Sequence, residues 1–162
     1  MNPTAKLRVR QIERELKLPL PSVIRYCKEL EKEEILKKES TSGVSTYSAD
    51  RSSKRYLTAK RLFNIGLIFE SGLIEHIVKE YFNPVIVLFG SYSRGEDIEG
   101  SDIDLYIETQ KRQDFNLQKF EKILKRKIQA FNYKNIKEVP NHHLSNNIIN
   151  GITLNNFLEV FA

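Results

Sequence analysis

Hydrophobic and polar positions divide this chain of 162 residues into three blocks. Residues 6–50 combine short stretches of helical spacing with two short strand-like runs, and residues 52–81 carry a broad apolar stretch. The third block opens after Asn83-Pro84 on a continuous apolar run that is typical of a buried strand. The pattern predicts an α+β fold with three segments, residues 1–51, a linking helical segment over 52–82, and a domain over 83–162.

The first block predicts two short helices joined by a tight turn. Val9 and Ile12 lie on one face of a short amphipathic helix, and Pro19 and Pro21 then break the chain. A second helix starts near Ser22 and continues with apolar residues at helical spacing. Two helices connected in this way form a helix-turn-helix pattern.

Two short strands follow the second helix. Residues 35–40 and 45–49 are interpreted as two short strands, and Ser42-Gly43 between them predicts a hairpin turn. The whole arrangement resembles a winged helix-turn-helix domain in which the hairpin is the wing. Few residues precede Lys6, so the first helix of such a domain is incomplete. Part of its small core is therefore expected from the second block or from a second chain.

Charge is distributed unevenly along the chain. Residues 1–61 hold 15 Lys and Arg against 8 Asp and Glu, whereas residues 62–162 hold 11 against 13. A basic N-terminal part indicates contact with nucleic acid, although a well-solvated basic surface fits equally. The resemblance to a winged helix implies a DNA-reading helix and phosphate contacts, for which the candidates are Ser22, Arg25 and Lys28 on the helix and Lys37 and Lys38 on the hairpin. Winged helices also serve as docking modules, and the acidic residues near the second helix would repel DNA, so both interpretations stay open.

The second block is broadly apolar and has to be covered by other elements. Gly66 and Gly72 are expected to interrupt or bend its helix. The block predicts a bridge between domains and a candidate seam for a homodimer, and nothing in it suggests chemistry.

A phosphate-binding turn is predicted where the third block begins. The strand 85–89 runs directly into Gly90-Ser91, where a turn into a short helix presents backbone N–H groups to phosphate oxygens. Gly90 allows a close backbone approach, Ser91 adds a hydroxyl donor, and Arg94 brings positive charge one turn later. A strand that ends in Gly-Ser is weak evidence alone, because many tight turns have this composition.

Two carboxylates follow at strand spacing. Ten residues separate Ser91 from Asp102, and residues 101–107 alternate so that Asp102 and Asp104 share one face of a second strand. Carboxylates at this spacing, roughly 6.5–7 Å apart, can converge on divalent ions and select Mg²⁺ or Mn²⁺. An isolated Asp-Ile-Asp would favour an exposed acidic edge strand, but its combination with the Gly-Ser turn favours a metal and nucleotide site.

Gly90-Ser91, ten residues and then Asp102-Ile103-Asp104 resemble the signature of the DNA polymerase β-like nucleotidyltransferases. The string GSYSRGEDIEGSDIDLYI is similar to their minimal members, and residues 146–152 resemble the closing segment of such domains. The resemblance implies a small mixed sheet with helices on one face. It also implies that Gly90, Ser91 and Arg94 bind a nucleoside triphosphate, with ATP expected, and that Asp102 and Asp104 are the catalytic metal ligands for Mg²⁺ or Mn²⁺.

The resemblance also implies a third carboxylate on a later strand. The matching strand is predicted over residues 127–131, after an amphipathic helix over about 115–126, and Gln129 occupies the expected position. An amide offers a metal one oxygen but cannot act as a base. Loss of a general base costs ~10²–10⁴-fold in rate, so slow transfer or none is expected.

Three functional hypotheses follow. The first is a nucleotidyltransferase that transfers a nucleoside monophosphate to a hydroxyl of a protein or small molecule. The second is a DNA-binding regulator that binds nucleotide with weak catalysis, and the third is a protein-interaction role. Because some minimal nucleotidyltransferases adenylylate HEPN-domain ribonucleases, a HEPN-type protein is a candidate partner. No apolar run is long enough to cross a bilayer, no leader pattern is present, and Cys27 is the only cysteine, which together predict a cytoplasmic protein without membrane contact.

Overall fold

The computed structural model describes residues 2–41, 43–110 and 116–161. The chain divides into two compact units, Met1–Lys60 and Arg61–Ala162. None of the helices in the described ranges is both long and apolar enough to cross a membrane.

The helices are α1 (Val9–Leu16), α2 (Leu20–Lys32), α3 (Lys54–Glu70), α4 (Leu73–Glu80), α5 (Gly90–Arg94), α6 (Gln118–Leu124), a 3₁₀ turn (Ile136–Glu138) and α7 (His142–Ile149). The strands are β1 (Leu36–Thr41), β2 (Val44–Ala49), β3 (Val85–Phe89), β4 (Ile103–Glu108), β5 (Ile128–Tyr133) and β6 (Ile152–Asn155).

The first unit contains the two predicted helices and the predicted hairpin. β1 and β2 pair antiparallel, and Val23, Cys27 and Tyr47 form a small buried core between α2 and the hairpin. Each strand differs by one residue from the predicted bounds at one or both ends, and Ser42 of the predicted turn lies outside the described residues. Ahead of α1, Leu7 exchanges two backbone hydrogen bonds of 2.8 and 2.9 Å with Tyr47. This extended pairing joins the segment ahead of α1 to the hairpin.

The broad apolar stretch over residues 52–81 is two helices rather than one. α3 ends at Glu70 and α4 begins at Leu73. Gly72 lies between them in a left-handed conformation with φ of +75°. A glycine accepts this conformation without the Cβ clash that other residues have. Gly66, by contrast, lies inside α3. The predicted interruption is therefore confirmed at Gly72 only.

The second unit is built on a mixed four-stranded sheet in the order β5-β4-β3-β6. β3 pairs antiparallel with β4 and β6, and β4 pairs parallel with β5. The register places Asp104 opposite Phe89 on one side and opposite Gln129 on the other. The start of β4 therefore lies between the end of β3 and the start of β5.

Helices cover both faces of this sheet, so the expectation of helices on one face is wrong. Ile86 and Leu88 face residues of α3, α4 and α6. Val85, Val87 and Phe89 face the 3₁₀ turn and α7 in a second buried cluster. Because every residue of β3 is buried, neither face of that strand is left to solvent. A strand with two covered faces reads as a continuous apolar run, and β3 does.

The segment that resembles a closing element, residues 146–152, comprises the end of α7, a turn and the first residue of β6. A Cβ built at Gly151 would lie 2.6 Å from Cγ1 of Val87 and 2.7 Å from the carbonyl oxygen of Leu88. Only a residue without a side chain lets the chain return so close to β3. Gly151 therefore fixes how β6 joins the sheet.

Candidate functional site

The end of β3 brings a glycine directly against a carboxylate of β4. Gly90 follows β3 with φ of +73°, and a Cβ built there would overlap with Oδ2 of Asp104 and lie 3.1 Å from its Cγ. The antiparallel register explains this contact, because Phe89 is the partner of Asp104 across the strands. The Asp104 carboxylate therefore faces the Gly90-Ser91 turn, and residue 90 has to be glycine for that approach.

The turn is held by hydrogen bonds from its own helix and from α3. Ser93, which is buried, donates from Oγ to the carbonyl oxygen of Gly90 at 2.8 Å. Nδ2 of Asn64 donates to the carbonyl oxygen of Tyr92 at 2.9 Å. α5 is consequently anchored from its buried side, while Ser91, in its first turn, is half-buried.

Asp102 and Gln129 are joined directly. Asp102 precedes β4 by one residue, and its Oδ2 accepts a 2.7 Å hydrogen bond from Nε2 of Gln129. Gln129 is also the strand partner of Asp104 in the parallel ladder. Both carboxylates and the amide are thus grouped at one end of the sheet, as their spacing in the sequence predicts.

The two carboxylates influence each other electrostatically. The pKa of Asp104 is raised above its ordinary value, first because the side chain is partly desolvated and then because the charge of Asp102 is nearby. The Arg94 guanidinium acts in the opposite direction and lowers that pKa. A further positive charge at this position would therefore favour the ionised form of Asp104.

Arg94 is held at the end of α5. Its Nε donates to Oε2 of Glu96 at 2.7 Å, and the side chain is exposed. Since Arg94 also influences the pKa of Asp104, its charge is close enough to act on the predicted site. Arg94 therefore lies at the end of the helix that begins at the turn, with its guanidinium paired to Glu96.

The donors at this position fit a hard divalent cation. Two carboxylates and one amide oxygen are ligand types that Mg²⁺ and Mn²⁺ accept, together with water and phosphate oxygens. Asp102 and Asp104 repel each other, and a cation between them would remove that repulsion. No cluster of three or more His, Cys, Asp or Glu able to hold a metal occurs among the described residues.

Residues 73–152 match the family model described as nucleotidyltransferase domain. The match covers 80 of the 162 residues, and this part of the chain is therefore similar to nucleotidyltransferase domains. The matched range contains the Gly90-Ser91 turn, both carboxylates and Gln129. No curated protein and no solved structure matches the chain.

A buried ion pair stabilises the second unit between the turn and the carboxylates. Asp97 lies in the loop between α5 and β4, is 1 % exposed, and accepts from Arg126 at 3.3 Å and from Asn64 at 2.7 Å. Asn64 thereby links this loop to α5 through its bond to Tyr92. The sequence does not reveal the network, because Asp97 stands among exposed acidic neighbours and its partners are about thirty residues away. The sequence offers one signal, a single Asn, Asn64, within the broadly apolar stretch over residues 52–81.

The predicted DNA-contacting residues all lie in the first unit. On α2, Ser22 is half-buried, Arg25 stacks over the ring of Tyr26 at 4.9 Å and lies 3.8 Å from Glu29, and Lys28 is exposed. On β1, Lys37 pairs with Glu39 at 3.3 Å, and Lys38 is exposed. Their role as DNA contacts stays a prediction.

Proposed function

We propose that the chain is a nucleotidyltransferase that transfers a nucleoside monophosphate from a nucleoside triphosphate, with ATP expected, to a hydroxyl group of a protein or small molecule. The observation that carries the proposal is the contact between Gly90 and the Asp104 carboxylate. It brings a turn suited to phosphate oxygens against a pair of carboxylates suited to Mg²⁺ or Mn²⁺. The family match of residues 73–152 supports the same reaction class.

The residues have separate roles in this proposal. The backbone N–H groups and the hydroxyl of Ser91 hold the phosphate oxygens of the leaving pyrophosphate. Asp102 and Asp104 hold the divalent cation, with the amide oxygen of Gln129 as a further neutral donor. Bound cations of this kind neutralise the triphosphate and the charge that develops on the leaving oxygen. Arg94 adds positive charge beside Asp104.

The transfer itself breaks one bond and forms one. The acceptor oxygen attacks the α-phosphorus in line with the bond to the β-phosphate oxygen, and pyrophosphate leaves with the electron pair of that bond. The acceptor hydroxyl also loses its proton. Gln129 cannot accept it, because an amide is not a base, so the proton goes to solvent. The rate of transfer is therefore ~10²–10⁴-fold lower than it would be with a positioned base.

Transfer of label from a nucleoside triphosphate labelled at the α-phosphate tests the proposal. The intact chain is incubated with each nucleotide, Mg²⁺ or Mn²⁺, and candidate hydroxyl acceptors, and the covalent product and pyrophosphate are measured together. We expect equal amounts of both with one nucleotide, and neither with Asp104→Asn. Pyrophosphate release that is unchanged in Asp104→Asn would contradict the proposal.

A second candidate function is a DNA-binding regulator whose nucleotide site catalyses nucleotidyl transfer only weakly. Exposed Lys28 and Lys38, together with Arg25, support it, since they lie on the helix and hairpin of the basic first unit. Phosphate contacts make affinity fall steeply with salt. Double replacement of Arg25 and Lys28 by Ala should weaken binding to duplex DNA in a mobility or anisotropy assay. DNA affinity that is insensitive to both salt and this replacement would exclude the second function.

A further inference from the structure

An open groove of about 830 Å³ borders the candidate site on its β5 side. Asp102 forms part of its wall, and most of the remaining lining comes from α6 and from the turn that leads into β5. Three exposed lysines line it, namely Lys122, Lys125 and Lys127. The groove is thus a positively charged surface that begins at a predicted metal ligand.

The other charged groups of the lining are already engaged. Arg126 pairs with the buried Asp97, and Oε1 of Glu121 accepts a 3.0 Å hydrogen bond from the backbone N–H of Ile128. In the described ranges no carboxylate forms an ion pair with Lys122, Lys125 or Lys127. Three ammonium groups without a carboxylate partner attract anionic ligands and repel cationic ones.

The groove also lies on the side from which an acceptor would approach. Because the sheet order is β5-β4-β3, the Gly90-Ser91 turn flanks the carboxylates of β4 on one side and Gln129 flanks them on the other. In an in-line displacement, the attacking oxygen enters opposite the leaving group. With pyrophosphate at Gly90 and Ser91, the attacking oxygen therefore enters from the side of Gln129 and the groove.

The lining favours a polypeptide over a nucleic acid strand. None of the described residues that line the groove is aromatic, whereas single-stranded nucleic acids rely on aromatic side chains for base stacking. Several ammonium groups on an open surface match several carboxylates spaced along a peptide better than one compact anion. We propose that the groove holds an acidic protein segment that presents the acceptor hydroxyl. This inference rests on the nucleotidyl transfer proposed above and names its substrate class.

Fluorescence anisotropy with the intact chain tests the groove without metal or nucleotide. The probes are a Tyr- and Ser-containing peptide rich in Asp and Glu, the same peptide with Asn and Gln in their place, and a single-stranded oligonucleotide with a free 3′-hydroxyl. The double variant Lys122→Glu and Lys125→Glu reverses the charge of the groove. Lys119→Glu makes the same change on α6 outside the groove and is the matched control.

We expect the acidic peptide to bind at least about tenfold more tightly than its amide counterpart, which is the order of magnitude that opposite charges contribute at a surface. Its affinity should decrease as the salt concentration increases, because salt screens exposed charges. The double variant should lose about tenfold in affinity, and Lys119→Glu should stay within about twofold. Equal binding of the two peptides, or tighter binding of the oligonucleotide through the same lysines, would overturn the inference.

A parallel titration separates this inference from the proposed function. If nucleoside triphosphate binds with Mg²⁺ while the acidic peptide does not bind, the acceptor inference fails and the proposed function stands. If the peptide binds through the lysines while no nucleotide binds, the proposed function fails, and with it the acceptor role of the peptide. Label on the hydroxyl of the acidic peptide, absent in the double variant, supports both.

Discussion

The side-chain amide of Gln129 donates a 2.7 Å hydrogen bond to the carboxylate of Asp102, at the position where a third carboxylate would otherwise stand. Two acids and one amide leave the site less negative than three acids would. The amide holds the Asp102 side chain in place through this hydrogen bond. It also removes the group that would take the proton from an acceptor.

Gln129→Glu should increase the rate of transfer. A carboxylate at this position supplies the missing base, and general bases contribute ~10²–10⁴-fold. We expect a rise of at least tenfold in the steady-state rate with Mg²⁺, measured by pyrophosphate release, together with lower stability in EDTA because three carboxylates then repel one another. Gln129→Ala is the control and should not gain activity. A Glu variant no faster than the wild-type protein would show that the amide does not limit the rate.

Gly90→Ala should abolish nucleotide binding and destabilise the second unit. Its Cβ would displace the Asp104 carboxylate, and the left-handed conformation adds strain of ~1–2 kcal/mol. Gly72→Ala is the matched control, because Gly72 has nearly the same φ and open space around it. Calorimetric titration and thermal unfolding should show a loss of stability in both variants and a loss of binding only at Gly90. Equal nucleotide affinity in the two would contradict the role of the close approach.

Asp104→Asn should stabilise the metal-free protein at neutral pH. The folded protein raises the pKa of Asp104 above its ordinary 3.8, so the ionised side chain costs stability as pH rises through that range. The amide removes this cost, and Tm in EDTA at pH 7.5 should increase by no more than a few degrees, because the carboxylate is partly solvated. The difference should vanish as pH falls below the ordinary pKa of 3.8. Addition of Mg²⁺ should stabilise the wild-type protein and leave the variant unchanged.

Asp97→Asn should destabilise the domain strongly although Asp97 is not a ligand. The substitution leaves Arg126 nearly buried without its ionic partner, which costs ~3–5 kcal/mol. Glu99→Gln, an exposed neighbour in the same loop, should change the free energy of unfolding by less than ~0.5 kcal/mol. Urea unfolding measures both. Similar small effects for the two would show that the buried pair contributes little.

Local patterns predicted the parts of the site that depend on neighbours in the chain. The bounds of β3 follow from its apolar run between Pro84 and Gly90, and the predicted bounds agree with the structure. β4 begins at Ile103 rather than at residue 101, because its ladder with β5 starts there. The grouping of Asp102, Asp104 and Gln129 could be predicted because strand spacing and a family signature both specify it.

Features that depend on distant partners could not be predicted in this way. The continuous apolar run of β3 does not tell which helices cover each face, so α7 on the second face was missed. Burial of Asp97 depends on Asn64 and Arg126, which no short pattern connects. The lysine groove likewise requires α6 and the start of β5 to meet beside Asp102.

The most direct test of the central claim is calorimetric titration of the intact chain with nucleoside triphosphate, with and without Mg²⁺. The claim is that Asp102 and Asp104 hold a divalent cation against a phosphate-binding turn. It predicts saturable binding of one nucleotide that requires Mg²⁺ and that disappears in Asp104→Asn, while Lys119→Glu binds normally. Nucleotide binding of equal affinity without the metal, or in Asp104→Asn with the metal, would contradict it.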